Sequence, residues 1–187
     1  MSNGGKGMFK NKIFSKDSLP EFELRLEEIR GMGGIFVTLN GCFDIPHRGH
    51  MEILNFAKSV CIAENSIKGF VVAGLNSDLS IKRLKGNKRP IIPEVERARF
   101  LISTQLVDLV FIYDDDIPND FIRIVKPKAH VNDSSYGENC IEREALDETG
   151  GSLALFSKID GAPSTSDIIQ WVTEKNKDAW VFSTFWG

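Results

Sequence analysis

A chain of 187 residues, 42% hydrophobic and 26% charged, is long enough to bury a core and most simply forms one domain. Its net charge of −3 and pI near 5.7 exclude a general nucleic-acid or anionic-membrane binder, which makes any local cluster of cations more informative. Three cysteines (Cys42, Cys61 and Cys140) without CxxC spacing argue against a disulfide framework, and no run nears the roughly eighteen apolar residues of a membrane span. A cytoplasmic protein is expected.

Residues 1–16 are Gly-, Asn- and Lys-rich, lack the apolar core of a secretory signal, and are expected to be poorly ordered. The main domain is expected over 17–175. It opens with a helix at 17–31, "SLPEFELRLEEIRG", with Ser18 as its cap, Pro20 in its first turn, and Phe22, Leu26 and Ile29 on one face. Short apolar runs then alternate with helical patterns. Strands are expected at 35–39, 69–75, 109–113, 129–131 and 152–157, and helices at 50–61, 94–104, 117–125, 140–148 and 166–175. Most of the strand runs lack polar alternation, as strands buried on both faces do. The pattern therefore predicts an α/β fold, a parallel sheet with helices on both faces. Ligands in such folds bind beyond the carboxyl ends of the strands, near the switch in strand order. The last residues, 176–187, end in "WVFSTFWG", four of eight aromatic. That tail either packs on its own domain or forms a subunit contact or lid.

Several familiar motifs fail. "GMGG" (31–34) precedes a strand, so it is no dinucleotide fingerprint, and neither a GxxxxGK[ST] loop nor a GxSxG elbow occurs. Two of the three histidines, His47 and His50, fall three residues apart in "LNGCFDIPHRGH" (39–50), where strand 35–39 turns into a helix. No third metal ligand is near in sequence, which disfavours zinc. A pair of core histidines is the plain alternative. Gly41 allows an unusual backbone conformation and close ligand approach, the N–H groups around Cys42 and Phe43 form an anion seat, and Gly49 leaves room between two imidazoles that can reach one phosphate. Asp44 either holds the loop through its N–H groups or lies near the acceptor.

Lys82, Arg83, Lys85, Lys88 and Arg89 put five cations within eight residues after strand 69–75. Such a run is ordinarily a solvated loop. Leaving the same sheet edge as the histidines, it can neutralise a triphosphate. "STSD" (164–167) is a helix start in which Ser164 caps and Asp167 closes a capping box, and its hydroxyls and N–H groups can also meet phosphate.

"GCFDIPHRGH" resembles the HxGH signature of the nucleotidyltransferase superfamily, whose fold is Rossmann-like. The chain is too short for an aminoacyl-tRNA synthetase and has no KMSKS sequence. It is similar instead to the small cytidylyl- and adenylyltransferases, above all to the adenylyltransferase half of ADP-heptose synthases. "NSDLSIKRLKGNKRPI" (76–91), "PEVERARFL" (93–101), "LVDLVFIYDDDIP" (106–118) and "GAPSTSDII" (161–169) carry that likeness from about Ile35 to Val172. The resemblance implies transfer of AMP from ATP, with Mg²⁺, to a heptose 1-phosphate-like acceptor, releasing pyrophosphate. It assigns His47, His50, Lys82 and Lys85 to catalysis. Gly41, Cys42, Phe43, Gly49, Arg97, Ser164 and Thr165 would bind the nucleotide, and Asp44, Asn132 and Tyr136 would lie toward the acceptor. A homodimer is a further implication. One departure stands out: where the heptose enzymes have KGGDY, this chain reads "NDSSY" (132–136), with Asn132 in place of the lysine. A cytidylyltransferase using CTP and a polyol phosphate is the main alternative, although Glu52 replaces the lysine which the glycerol-phosphate enzymes place there. A nucleotide-binding module without turnover is the second.

Overall fold

The computed structural model describes residues 9, 11–63, 68–158 and 160–175. In chain order the elements are β1 (Ile13–Ser15), α1 (Leu19–Gly31), β2 (Ile35–Gly41), α2 (Arg48–Ala63), β3 (Gly69–Asn76), α3 (Asp78–Lys85), α4 (Glu94–Ser103), β4 (Leu109–Tyr113), α5 (Asn119–Val125), β5 (Ala129–Asp133), α6 (Arg143–Thr149), β6 (Ser152–Phe156) and α7 (Thr165–Lys175). The strands form one six-stranded sheet in the order β1-β4-β3-β2-β5-β6, and every pairing is parallel.

The expected absence of polar alternation has a direct cause. Along β2, Val37 and Leu39 enter one core with Leu54 and Ala57 of α2 and Leu101 of α4. Phe36, pointing the other way, joins Phe22, Leu26 and Ile29 of α1, Phe121 of α5 and Leu146 of α6. Both faces of the sheet are therefore buried under helices, the Rossmann-like arrangement. From β2 the chain runs outward through β3 to β4, then returns to place β5 on the opposite side of β2. The β2/β5 boundary is the switch in strand order, and β2 ends in the histidine loop.

Three local expectations are corrected. Ile13–Ser15 falls in the segment expected to lack order, yet it pairs with Val110–Ile112 as the edge strand. Phe14 anchors it, packing on Phe22, which stacks on Phe111 at 4.7 Å. Three residues are too few to show a period. Ser18 does precede α1, but its hydroxyl makes no cap bond to that helix. It accepts from the Ser15 N–H instead, at 2.9 Å. The basic stretch after β3 is not simply a loop: Ser77 caps α3 by accepting from the Ser80 N–H, and Lys82, Arg83 and Lys85 occupy its last turn, where cations suit the helix dipole. The aromatic tail, 176–187, lies outside the described residues. Among the described residues, no helix is long and apolar enough to cross a membrane.

Candidate active site

The loop leaving β2 is held from below. Asp44 is buried, and its carboxylate accepts from the backbone N–H groups of Ile91 and Ile92 and from Arg89 Nε at 2.6 Å. Burial alone would raise its pKa, but the Ile91 and Ile92 bonds and the Arg89 charge outweigh that and hold the carboxyl below its ordinary value. Arg89 is thus spent on an ion pair and is not a triphosphate cation. Asp44 takes the loop-holding role of the two considered from sequence.

Arg97, expected to bind the nucleotide, is engaged within the protein in the same way. Its guanidinium is fully buried, donating to the carbonyl oxygens of Cys42 and Ile92 and to Asp78 at 2.8 Å. All three nitrogens are engaged beneath the loop, so Arg97 positions it.

Gly41 does not adopt a left-handed backbone; Phe43 (φ 45°) and Ile45 (φ 32°) do. Such conformations are costly for these side chains and survive because the Asp44 and Arg97 bonds impose them. What Gly41 supplies is space, since a Cβ there would lie 3.3 Å from the Phe43 ring.

Above this floor, α2 begins at Arg48, which sets His47 at its entrance and His50 in its first turn. The two imidazoles stack, with ring centroids 3.7 Å apart at 23°, and Phe43 tilts against His50 at 5.2 Å. A Cβ on Gly49 would come within 3.2 Å of the His47 ring. Both Nδ1 atoms are buried without a hydrogen-bond partner. Burial, then the neighbouring His47 and Lys85 charges, push the His50 pKa down to about 3; burial and Lys158 lower that of His47. Both rings are neutral at pH 7, and an arriving anion would favour their protonation.

His47, Gly49 and His50 line a pocket of about 240 Å³ with Asn40, Gly41, Cys42, Phe43 and Lys158. Lys158 was missed from sequence. It follows β6 on the same sheet edge, which is the signal that could have found it. A second pocket of about 300 Å³ includes Lys85, Tyr113, Asn132 and Glu142, and shares Asn40, Gly41, Cys42 and Tyr136 with the first. The carboxyl end of β2 therefore divides two cavities. Lys85 stands in the second, with its charge acting on His50. Lys82 is exposed on α3 and lines neither pocket. Asn132 does not present a free amide: Nδ2 donates to Glu142 at 3.0 Å and Oδ1 accepts from the Asp133 N–H.

At the start of α7, the Ser164 hydroxyl and N–H both donate to Asp167, and the Asp167 N–H returns a bond to the Ser164 hydroxyl, closing the expected capping box. Thr165 Oγ1 donates to the Asp44 carbonyl at 3.0 Å and so ties α7 to the histidine loop. Neither hydroxyl lines either pocket.

The sequence comparisons agree with this geometry. Residues 38–184 match the cytidylyltransferase-like family model. The chain is 37% identical over 166 residues, 88% of its length, to the bifunctional protein HldE of Pelobacter propionicus, and 39% identical over 159 residues, 84%, to that of Geobacter metallireducens. It spans about a third of the length of these relatives, 32% and 30%. Among solved structures, a lipopolysaccharide core biosynthesis protein from Thermoplasma volcanium superposes with a TM-score of 0.53 at 24% identity, over 67% of this chain and 98% of that one. Pantoate-beta-alanine ligase from Francisella tularensis gives 0.56 at 11% identity, over 81% and 71%. These last two speak for the fold alone. With an HxGH loop at the switch point of a parallel sheet and a family match over most of its length, the chain belongs to the cytidylyltransferase-like family of nucleotidyltransferases.

Proposed function

We propose that the chain transfers an adenylyl group from ATP to the phosphate of a sugar 1-phosphate of the heptose type. The observation that carries this reading is the stacked His47–His50 pair, flanked by Lys158, at a strand end that separates two pockets. The nucleotide would occupy the histidine pocket and the acceptor the neighbouring one. An acceptor phosphate oxygen attacks the α-phosphorus in line, the bond to the β-phosphate breaks, and pyrophosphate departs. No side-chain nucleophile is required. Catalysis then consists of alignment and of donors aimed at developing charge, the task of the two imidazoles and Lys158. Lys85, in the second pocket, would meet the acceptor phosphate. Support for a heptose acceptor comes from the HldE relatives and from the stretches that resemble ADP-heptose synthases.

The first pocket contains a single carboxylate among its described lining residues, Asp133, beside the cation Lys158. That donor set suits a Mg²⁺ carried in on the triphosphate better than one caged by protein, with Asp133 placed to meet it. When bound, the ion would neutralise phosphate charge. The family description itself keeps a second reading open, cytidylyl transfer from CTP to a polyol phosphate.

Pyrophosphate release from the purified chain decides, with Mg²⁺ and either ATP or CTP, against sugar 1-phosphates and polyol phosphates. Turnover with ATP and a heptose 1-phosphate is the expected result. Turnover with CTP alone would transfer the conclusion to the second reading. Nucleotide binding with no turnover would leave a binding module.

A further inference from the structure

Helix α7 is amphipathic, yet none of its eleven residues is buried. Thr165, at its first position, donates to the Asp44 carbonyl and ties that end to the histidine loop. Ile168 and Ile169 are half-buried, whereas Trp171 and Val172 are 52% and 55% exposed. At about 100° per residue these four fall on one side of the helix. Gln170 and Glu174, bonded to each other at 2.8 Å, lie on the other. The apolar side is therefore sheltered near the loop and open to water farther along.

A helix of that length is marginal in water by itself, and burial of its apolar side is what ordinarily stabilises it. A second copy meets this stripe poorly, because the exposed parts of four side chains fall well short of the ~800 Å² per partner in a stable complex. The chain itself supplies a better match. Directly after Lys175 come residues 176–187, "NKDAWVFSTFWG", in which turn-forming Asn176 and Asp178 precede Trp180, Phe182, Phe185 and Trp186. From Ala179 on, about nine residues extended at about 3.3 Å each reach about 30 Å, against about 16 Å for the helix. We propose that residues 179–187 fold back along α7, cover its apolar side at Ile168 and Trp171, and so hold its Thr165 end against the histidine loop. The order of that loop is then coupled to the aromatic segment through one hydrogen bond, Thr165 to Asp44.

The test is amide hydrogen exchange without substrate, on the full chain as wild type, as Trp171→Gln, and with Trp180→Ser and Phe182→Ser together. The α7 amides of wild type are expected to exchange about tenfold more slowly than those of either variant, at a rate independent of protein concentration. Gln is at least as good a helix former as Trp, so faster exchange in Trp171→Gln reports lost packing. Trp171 is exposed, so its replacement should leave the sheet intact, which protection in β2 and β3 checks. Combining the helix and tail changes should add little, since both remove the same contact. Amides from Phe43 to Ile45 should speed up along with α7 in the tail variant. Unchanged α7 exchange in that variant would overturn the proposal, as would fully additive effects or a loop that does not respond. Protection that rises with protein concentration, with a doubled mass in sedimentation, would overturn it in favour of a second copy. No turnover enters the measurement, so its failure is separate from any failure of the transfer reaction.

Discussion

The guanidinium of Arg97 donates to the carbonyl oxygen of Cys42, tying α4 to the residue that lies between the two pockets. Its other bonds, to Asp78 and Ile92, are equally buried from solvent on the arginine side. A planar fork is needed to reach all three acceptors, and a lysine cannot do so. Arg97→Lys should therefore lower unfolding free energy by about 3 kcal/mol, as for a broken buried charge network, measurable by urea denaturation. Because the Arg97 donors are spent within the protein, the surviving folded enzyme should show a raised nucleotide KM from a loosened loop and no change in pH profile.

Removing His50 should act on the chemistry instead. His50→Ala is expected to cost about 10² to 10⁴ in kcat, the scale for a preorganised donor, with nucleotide affinity changed far less. A loss under about tenfold in a folded variant would rule out that role.

Lys158 depresses the pKa of both histidines from an exposed position. Lys158→Gln should thus raise both titrations, readable by NMR of the imidazole protons, while the melting temperature holds. The nucleotide KM should rise about tenfold, and its salt dependence should weaken.

His130 sits wholly buried in β5, its Nδ1 2.8 Å from Thr38 Oγ1, and burial pushes its pKa down to about 3. A folded-state value below the ordinary 6.5 means that the unfolded chain binds the extra proton. The stability held above pH 6.5 is then lost progressively as pH falls toward 3. From this group the loss should reach about 2 kcal/mol by pH 5. Denaturant titrations at pH 7 and pH 5 check it, and His130→Asn should flatten the difference.

The sheet and the histidine turn were legible because their signals are local. Val37, Leu39 and Phe36 had to be apolar together for both faces of β2 to be covered, and a run without alternation records that. His47 and His50 were legible because one helix turn brings them face to face. What stayed hidden depends on distant partners. Arg89 and Arg97 read as phosphate cations until Asp44 and the Cys42 carbonyl were found across the fold. Asn132 read as a lost cation, whereas it is an amide locked onto Glu142, ten residues on. Helix α3 was masked because only Ser80 and Ile81 of its eight residues are buried, too little for a periodic stripe.

Asn40, Gly41, Cys42 and Tyr136 line both cavities, so the end of β2 and one tyrosine beyond β5 part them. Under the proposed reaction, that partition has a consequence for what happens after bond formation. Each substrate grips one side only, but the joined nucleotide-sugar straddles the ridge and keeps the contacts of both halves. Pyrophosphate, confined to the histidine side, is free to leave first. The larger product must then let go of two compartments at once. Its escape, more than phosphoryl chemistry, would set the pace of the cycle, and a rising pool of nucleotide-sugar would slow its own production.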